Sequence, residues 1–165
     1  MIDYLEIGVA QGKHMLEILR DKNVRYVGVD RWECVPLKNE VNKMKNWDTQ
    51  EKWDEVYKSV LKKVEQYKDR ASIIRGSSVD VLPTLVNKFD IIYVDGDHSY
   101  EGAKKDLELA LTKLKENGVI KVDDLHYSEV RKAFNEFVSE NDVISKGDEI
   151  TVNYKSNMWN QLSKQ

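Results

Sequence analysis

The chain is 165 residues long, and 26 Lys and Arg against 29 Asp and Glu leave a net charge of −3. That length suits one domain with one substantial core, and the mild acidity argues against a protein built to neutralise nucleic-acid phosphates. A single cysteine, Cys34, excludes an internal disulfide and a multi-cysteine zinc site. No run approaches the ~20 apolar residues of a membrane span and no leader stands out, so the expectation is a soluble, cytoplasmic domain.

Short apolar runs alternate with stretches of helical period. The first run, residues 4–7, is followed by Gly12 and a short helix carrying Met15, Ile18 and Leu19. The second run is 26–29, and an irregular connection over 31–50, the longest in the chain, follows it. Trp53, Val56, Val60, Val64 and Tyr67 then make a helical stripe, with Asp48 and Glu51 placed as a capping box. Runs at 71–74 and 89–94 come next, and Ala103, Leu107, Ala110, Leu111 and Leu114 form a second stripe that Asn117-Gly118 is suited to stop. Beyond a fifth run at 118–122, Ser128 is placed to cap a helix whose buried face is Val130, Ala133, Phe134 and Phe137. Residues 143–145 and 150–154, joined across Lys146-Gly147-Asp148, read as a closing hairpin.

Runs apolar on both faces, separated by helices, predict a doubly wound α/β domain with a mostly parallel sheet and right-handed crossovers. The hairpin adds antiparallel strands at one edge. The reading is one domain over 1–155 and a polar tail over 156–165, in which Met158, Trp159 and Leu162 are the apolar residues. In such a sheet the ligand binds beyond the carboxyl ends of the strands.

The residues just after each run are therefore the ones to weigh. Glu6-Ile-Gly8-Val-Ala-Gln-Gly12 offers glycines for a sharp turn and close ligand approach, with a spacing unlike the dinucleotide fingerprint. Asp30 ends the second run, where a carboxylate can accept from two ribose hydroxyls; an ordinary loop or capping aspartate is the competing use. Gly76-Ser77-Ser78 supplies small polar groups suited to an adenine edge, although Ser78 also fits a helix cap. Two further ends bring Asp95, Asp97, Asp123 and Asp124 to one lip of the sheet, with His98 beside them. Carboxylates so crowded raise one another's pKa or recruit a hard cation such as Mg²⁺, Mn²⁺ or Ca²⁺. His14 and His126 read as surface or loop histidines. Trp32, Trp47 and Trp53 suit either a lid over substrate or ordinary packing, and Lys62-Lys63 and Lys104-Lys105 read as solvated helix faces.

In this order, Glu6-x-Gly8-x-x-x-Gly12, Asp30, Gly76-Ser77-Ser78, Asp95-Gly96-Asp97-His98-Ser99-Tyr100-Glu101-Gly102 and Gly118-Val-Ile-x-x-Asp123-Asp124 resemble the class I S-adenosylmethionine-dependent methyltransferases. The likeness is to the small, metal-dependent, macrocin-type O-methyltransferase branch and runs from Tyr4 to Leu125. It implies a Rossmann-like fold, S-adenosylmethionine as cofactor and a small-molecule or sugar hydroxyl as methyl acceptor. By the same likeness Gly8 and Gly12 contact the methionine end, Glu6 supports the loop, Asp30 holds the ribose, and Ser77 or Ser78 lies near adenine. Asp95, at the edge of the cofactor site, joins Asp123 and Asp124 as ligands of a divalent metal, Mg²⁺ foremost; Asp97 is the general base and His98 the alternative.

Two departures stand out. Ala10 occupies a position where many relatives have glycine, and the chain begins almost at the first strand, without the helices that cover the substrate pocket in many relatives. The acceptor site is then open, completed by a second subunit in a homo-oligomer, or lost. The competing readings are an Mg²⁺-dependent phosphohydrolase, since an apolar run ending in Asp-x-Asp also resembles the haloacid-dehalogenase-type phosphatases, and an S-adenosylmethionine-binding protein without catalysis.

Overall fold

Strands that are apolar on both faces must be covered on both, and the chain meets this by placing helices on both sides of one sheet. The computed structural model describes residues 1–34 and 49–152. Strand β1 (Ile2–Ile7) leads to helix α1 (Lys13–Ile18) and strand β2 (Val24–Asp30). Helix α2 (Gln50–Val64) and a 3-10 turn precede β3 (Ala71–Arg75); α3 (Ser78–Val81) and another such turn precede β4 (Phe89–Val94). Then come α4 (Tyr100–Lys113), β5 (Leu114–Val122), α5 (Ser128–Glu140), β6 (Val143–Lys146) and β7 (Glu149–Val152).

Among the described residues the strands form one sheet in the order β3-β2-β1-β4-β5-β7-β6. The first five are parallel, and β7 is antiparallel to both β5 and β6. The expected Rossmann-like architecture with its C-terminal hairpin is what the chain forms, and the order reverses between β1 and β4. One core packs α4 and α5 against Leu5, Val29, Ile92, Val94, Ile120 and Val122. The other packs α1 and α2 against Tyr4, Val24 and Tyr26. No helix among the described residues is long and apolar enough to cross a membrane.

Several local expectations change. Asp48 lies outside the described residues, as do Trp47, Tyr154, the tail over 156–165 with Met158, Trp159 and Leu162, and residues 35–48 of the long connection. The cap of α2 is Thr49, whose side chain accepts from the Lys52 N–H. Helix α4 stops at Lys113 rather than at Asn117-Gly118, because Leu114 already pairs with Phe89. Ile91 next pairs with Val119, so the extra residues of β5 bulge out, and Asn117 takes a φ of 64° there. Tyr127, not Ser128, stands at the N-cap position of α5 and makes no side-chain capping bond, and Ser77 rather than Ser78 caps α3. Of the two uses open to Trp32, a lid or ordinary packing, the structure shows packing: the ring is fully buried in the core. Lys63 donates to the Gln11 carbonyl, and Lys104 pairs with Glu136 and Glu140, so these two do more than solvate a helix face.

The hairpin depends on Ile120, which pairs directly with Ile150, both fully buried. Ile120→Ala is expected to cost about 2–5 kcal/mol in urea denaturation. A loss below about 1 kcal/mol would mean the hairpin is not docked as described.

Candidate active site

The carboxyl rim of the sheet is held by one more rung of backbone bonds past the strands' last apolar residues. Gly76 N–H donates to the Asp30 carbonyl at 2.9 Å, and Gly8 N–H to Val29 at 2.9 Å. Asp95 N–H donates to Ile7 at 2.8 Å, and Asp123 N–H to Val94 at 3.0 Å. Gly8, Asp30, Gly76, Asp95 and Asp123, all nominated from sequence, are therefore fixed in position by the sheet itself.

Gly8 turns the chain with a φ of +90°, and a Cβ there would stand 1.9 Å from the Asp95 carbonyl oxygen. Only glycine lets the two strand ends approach this closely. Asp30 secures the loop that follows. Its Oδ2 accepts from Val9 N–H at 2.9 Å and Ala10 N–H at 2.8 Å, while Oδ1 accepts from Trp32 N–H at 2.7 Å. The Trp32 indole donates to the Ala10 carbonyl at 2.9 Å, and Ala10 is held at a φ of 47°, where glycine would be at ease. Asp30 is thus first a pin for the glycine loop, with lone-pair capacity left for a further donor.

Glu6 lies beneath this loop, 1% exposed, and accepts from the Tyr26 hydroxyl. Burial pushes its carboxyl up to about 8, with the charges of Asp95 and Asp30 adding to the rise and the Tyr26 bond opposing it. It is walled off from any ligand on top of the sheet and acts as a support.

On the other flank, Ser77 caps α3, and the Ser78 hydroxyl donates to Asp106 of α4. Asp106 is 3% exposed and also faces the Asp97 N–H at 3.4 Å; burial raises its pKa. It ties the end of β3 to the loop after β4. Sequence reading passed over it, yet its position inside the Ala103–Ala110 apolar stripe is a signal that could have found it. Asp97 turns toward α4, with Oδ1 accepting from Ser99 N–H at 2.9 Å and Oδ2 3.5 Å from Arg31. Gly102 makes room for this side chain, since a Cβ there would lie 2.4 Å from the Asp97 Cγ.

Asp95, His98 and Asp124 come together, with one donor atom from each within 4.8 Å of the others. The His98 Nε2 is 2.9 Å from Asp124 Oδ2 and 3.5 Å from Asp95 Oδ1, yet it is buried and makes no properly directed hydrogen bond. Burial raises the Asp95 pKa, and the carboxylates of Asp95 and Asp124 raise that of His98 against the opposing effect of burial. Tyr127 stacks on the His98 ring, and His126 lies alongside it, 3.4 Å from Asp124. Asp123 stands next in the chain, exposed, with the Tyr93 hydroxyl on its Oδ2. His14, read from sequence as a surface or loop histidine, is half-buried in α1 and stacked on Tyr93. Nothing local marks that pair, because 79 residues separate the partners in sequence.

The donor set suits a divalent cation. Two carboxylate oxygens face one buried imidazole nitrogen, with separations near the ~3 Å expected between neighbouring ligands around an ion at about 2.1 Å. The glycine cradle and the adjoining Asp30 likewise leave room for a ligand pressed against backbone.

A family described as a methyltransferase domain matches residues 5–125. A protein of Acanthamoeba polyphaga mimivirus is 27% identical over 124 residues, covering 74% of this chain and 51% of its own length. The chain thus spans about half the length of that curated relative. Among solved structures, the SAH-bound methyltransferase PaMTH1 of Podospora anserina superposes with a TM-score of 0.59 at 20% identity, over 90% of this chain and 69% of that one. The O-methyltransferase NovP gives 0.61 at 17% identity, over 91% and 70%. These two likenesses are of fold.

Glu6 generates a pH prediction. The folded chain keeps a proton up to about pH 8 that the unfolded chain releases near its ordinary value of 4.5, so stability should fall as pH rises between them. Glu6→Gln cannot titrate and should gain on the native chain, on the order of 2 kcal/mol, between pH 6 and 9 in urea melts. Parallel pH profiles for the two proteins would mean that Glu6 is ionised when folded.

Proposed function

Because this chain belongs to the methyltransferase-domain family, within the class I S-adenosylmethionine-dependent group, we propose that it moves a methyl group from S-adenosylmethionine to a hydroxyl of a small molecule or sugar, with a divalent cation. The observation that carries the reading is the convergence of His98 with Asp95 and Asp124 beside the Gly8 turn. An oxygen acceptor must lose a proton, and here a base is placed where the strands bearing the cofactor loop and the carboxylates meet.

When bound, the cofactor supplies a sulfonium methyl and the cation a Lewis acid that lowers the acceptor hydroxyl's pKa. The remaining work falls to the chain. The glycine loop, pinned by Asp30 and Trp32, would hold the donor near the ends of β1 and β4, and Ser77 and Ser78 would border its adenine. Asp95 and Asp124 would hold the cation, with Asp123 beside them as the third carboxylate that the family likeness implies. Alignment of this kind contributes several kcal/mol by removing orientational freedom. With Asp95 and Asp124 as the cation's ligands and the His98 nitrogen left uncoordinated, His98 would take the acceptor proton. Asp97, the other base considered, is directed instead to Arg31 and the Ser99 N–H. That same placement speaks against the phosphohydrolase reading, which needs Asp97 beside Asp95.

The test is methyl transfer from labelled S-adenosylmethionine to a panel of sugars, phenols and hydroxylated metabolites, with S-adenosylhomocysteine binding followed by thermal shift. His98→Ala should lower turnover by about 10²–10⁴-fold and leave S-adenosylhomocysteine binding intact. Cofactor binding without transfer to any acceptor would favour the non-catalytic reading. Full activity in His98→Ala would remove His98 as base.

A further inference from the structure

Helix α4 buries one face against the sheet, and Ala103, Leu107 and Ala110 lie on it. Asp106 stands on that face too, 3% exposed. A buried carboxylate is costly unless donors meet it, and a leucine in this stripe would carry no such cost. Both oxygens of Asp106 are met. The Ser78 hydroxyl donates to Oδ1, and the Asp97 N–H faces Oδ2 at 3.4 Å. Gly96 leaves room for the carboxylate, since a Cβ there would collide with Oδ2. Packing alone asks for none of this.

The two donors belong to loops that start far apart. Ser78 follows β3 and Asp97 follows β4, and in the order β3-β2-β1-β4 two other strands stand between them. At about 4.8 Å per strand, those two strands lie roughly 14 Å apart. Strands β1 and β2 send their helices, α1 and α2, to the opposite face, where they pack with Tyr4 and Tyr26. On the α4 face, the ends of β1 and β2 are therefore flanked by the loops after β3 and β4. A sheet whose order reverses between β1 and β4 receives its ligand beyond these strand ends, and Gly8 and Asp30 stand at them.

We infer that Asp106 is a positioning residue for the cofactor crevice: it joins the loop after β3 to the turn after β4 and so fixes the separation of the crevice's two flanks. The inference rests on the methyltransferase reading above and adds to it the group that sets the crevice's width. At 3% exposure Asp106 has almost no surface to offer a ligand, so it acts through the Ser78 hydroxyl and the Asp97 backbone. The turn it supports also carries Asp95, the residue before Gly96, so one buried carboxylate steadies both flanks from α4.

The experiment is calorimetric titration of the full chain with S-adenosylhomocysteine, with each variant also melted without ligand. Asp106→Leu keeps the branched shape and suits the apolar stripe, yet accepts no hydrogen bond. It should bind S-adenosylhomocysteine about 10–100-fold more weakly while its melting temperature stays near the native value. Asp106→Asn can turn its carbonyl oxygen to the Asp97 N–H and its amide to the Ser78 oxygen, and should restore native affinity. Ser78→Ala releases one end of the tie without altering the buried face of α4. It should weaken binding as well, and its loss should add only in part to that of Asp106→Leu. Native affinity in Asp106→Leu, a failure of Asp106→Asn to restore it, or fully additive losses in the double variant would overturn the inference. Should Asp106→Leu not fold, Ser78→Ala decides, and native affinity there overturns the inference. Native protein that binds no S-adenosylhomocysteine removes the methyltransferase reading itself; native protein that binds it no better than Asp106→Leu does removes this inference alone.

Discussion

The approach of Gly8 to Asp95 sets the geometry of the whole rim. Parallel strands β1 and β4 run side by side, and their ladder continues one rung past the last apolar residues through the Asp95 N–H and the Ile7 carbonyl. That rung leaves no space for a side chain at position 8. With it in place, the glycine loop turns over the end of the sheet, Asp30 captures its N–H groups, and Asp95 stands one strand away from the loop. A wider gap would separate donor site from carboxylates, and a narrower one would exclude a ligand. The sheet therefore acts as the ruler for the chemistry above it.

Electrostatics divides the acids of the rim into two groups. Asp30 is satisfied by three backbone N–H groups, Asp97 by Ser99 and Arg31, Asp106 by Ser78 and the loop, and Asp123 by Tyr93 and Asp124. Asp95 and Asp124 are left facing a buried histidine nitrogen that has no directed hydrogen bond. Crowding and burial destabilise the charged form of Asp95, so this corner gains most from a positive partner, either a proton on His98 or a cation. Glu6 shows the same rule at full burial, where a carboxyl keeps its proton in place of finding a counter-charge.

Much of the fold is legible in periodicity. Val130, Ala133, Phe134 and Phe137 are all buried as their spacing requires, and the five predicted runs all lie within strands of one sheet. The errors fall where tertiary pairing overrode a local signal. Asn117-Gly118 has the chemistry of a helix stop, but strand pairing with Phe89 claims Leu114 first and leaves that dipeptide in a bulge. For Trp32 the sequence left a lid and ordinary packing both open, and the structure decides for packing: its ring fills the core and its indole serves a carbonyl of the glycine loop. Asp106 carried a readable clue, an acid among buried alanines and leucines, whereas His14 and Tyr93 carried none.

By itself the sequence determined the order of strands and helices, the glycine turn and the collection of acids at strand ends. Each depends on residues within a few positions of one another, through apolar period, turn chemistry and the rule that parallel strands carry their loops at one end. Only the tertiary structure decided which acids remain available and which are used in holding the rim together. That choice turns on contacts across strands and helices, such as Asp30 with Val9, Asp106 with Ser78 and Asp123 with Tyr93. A carboxylate's role is set by the donors that reach it in space, and those donors come from distant parts of the chain.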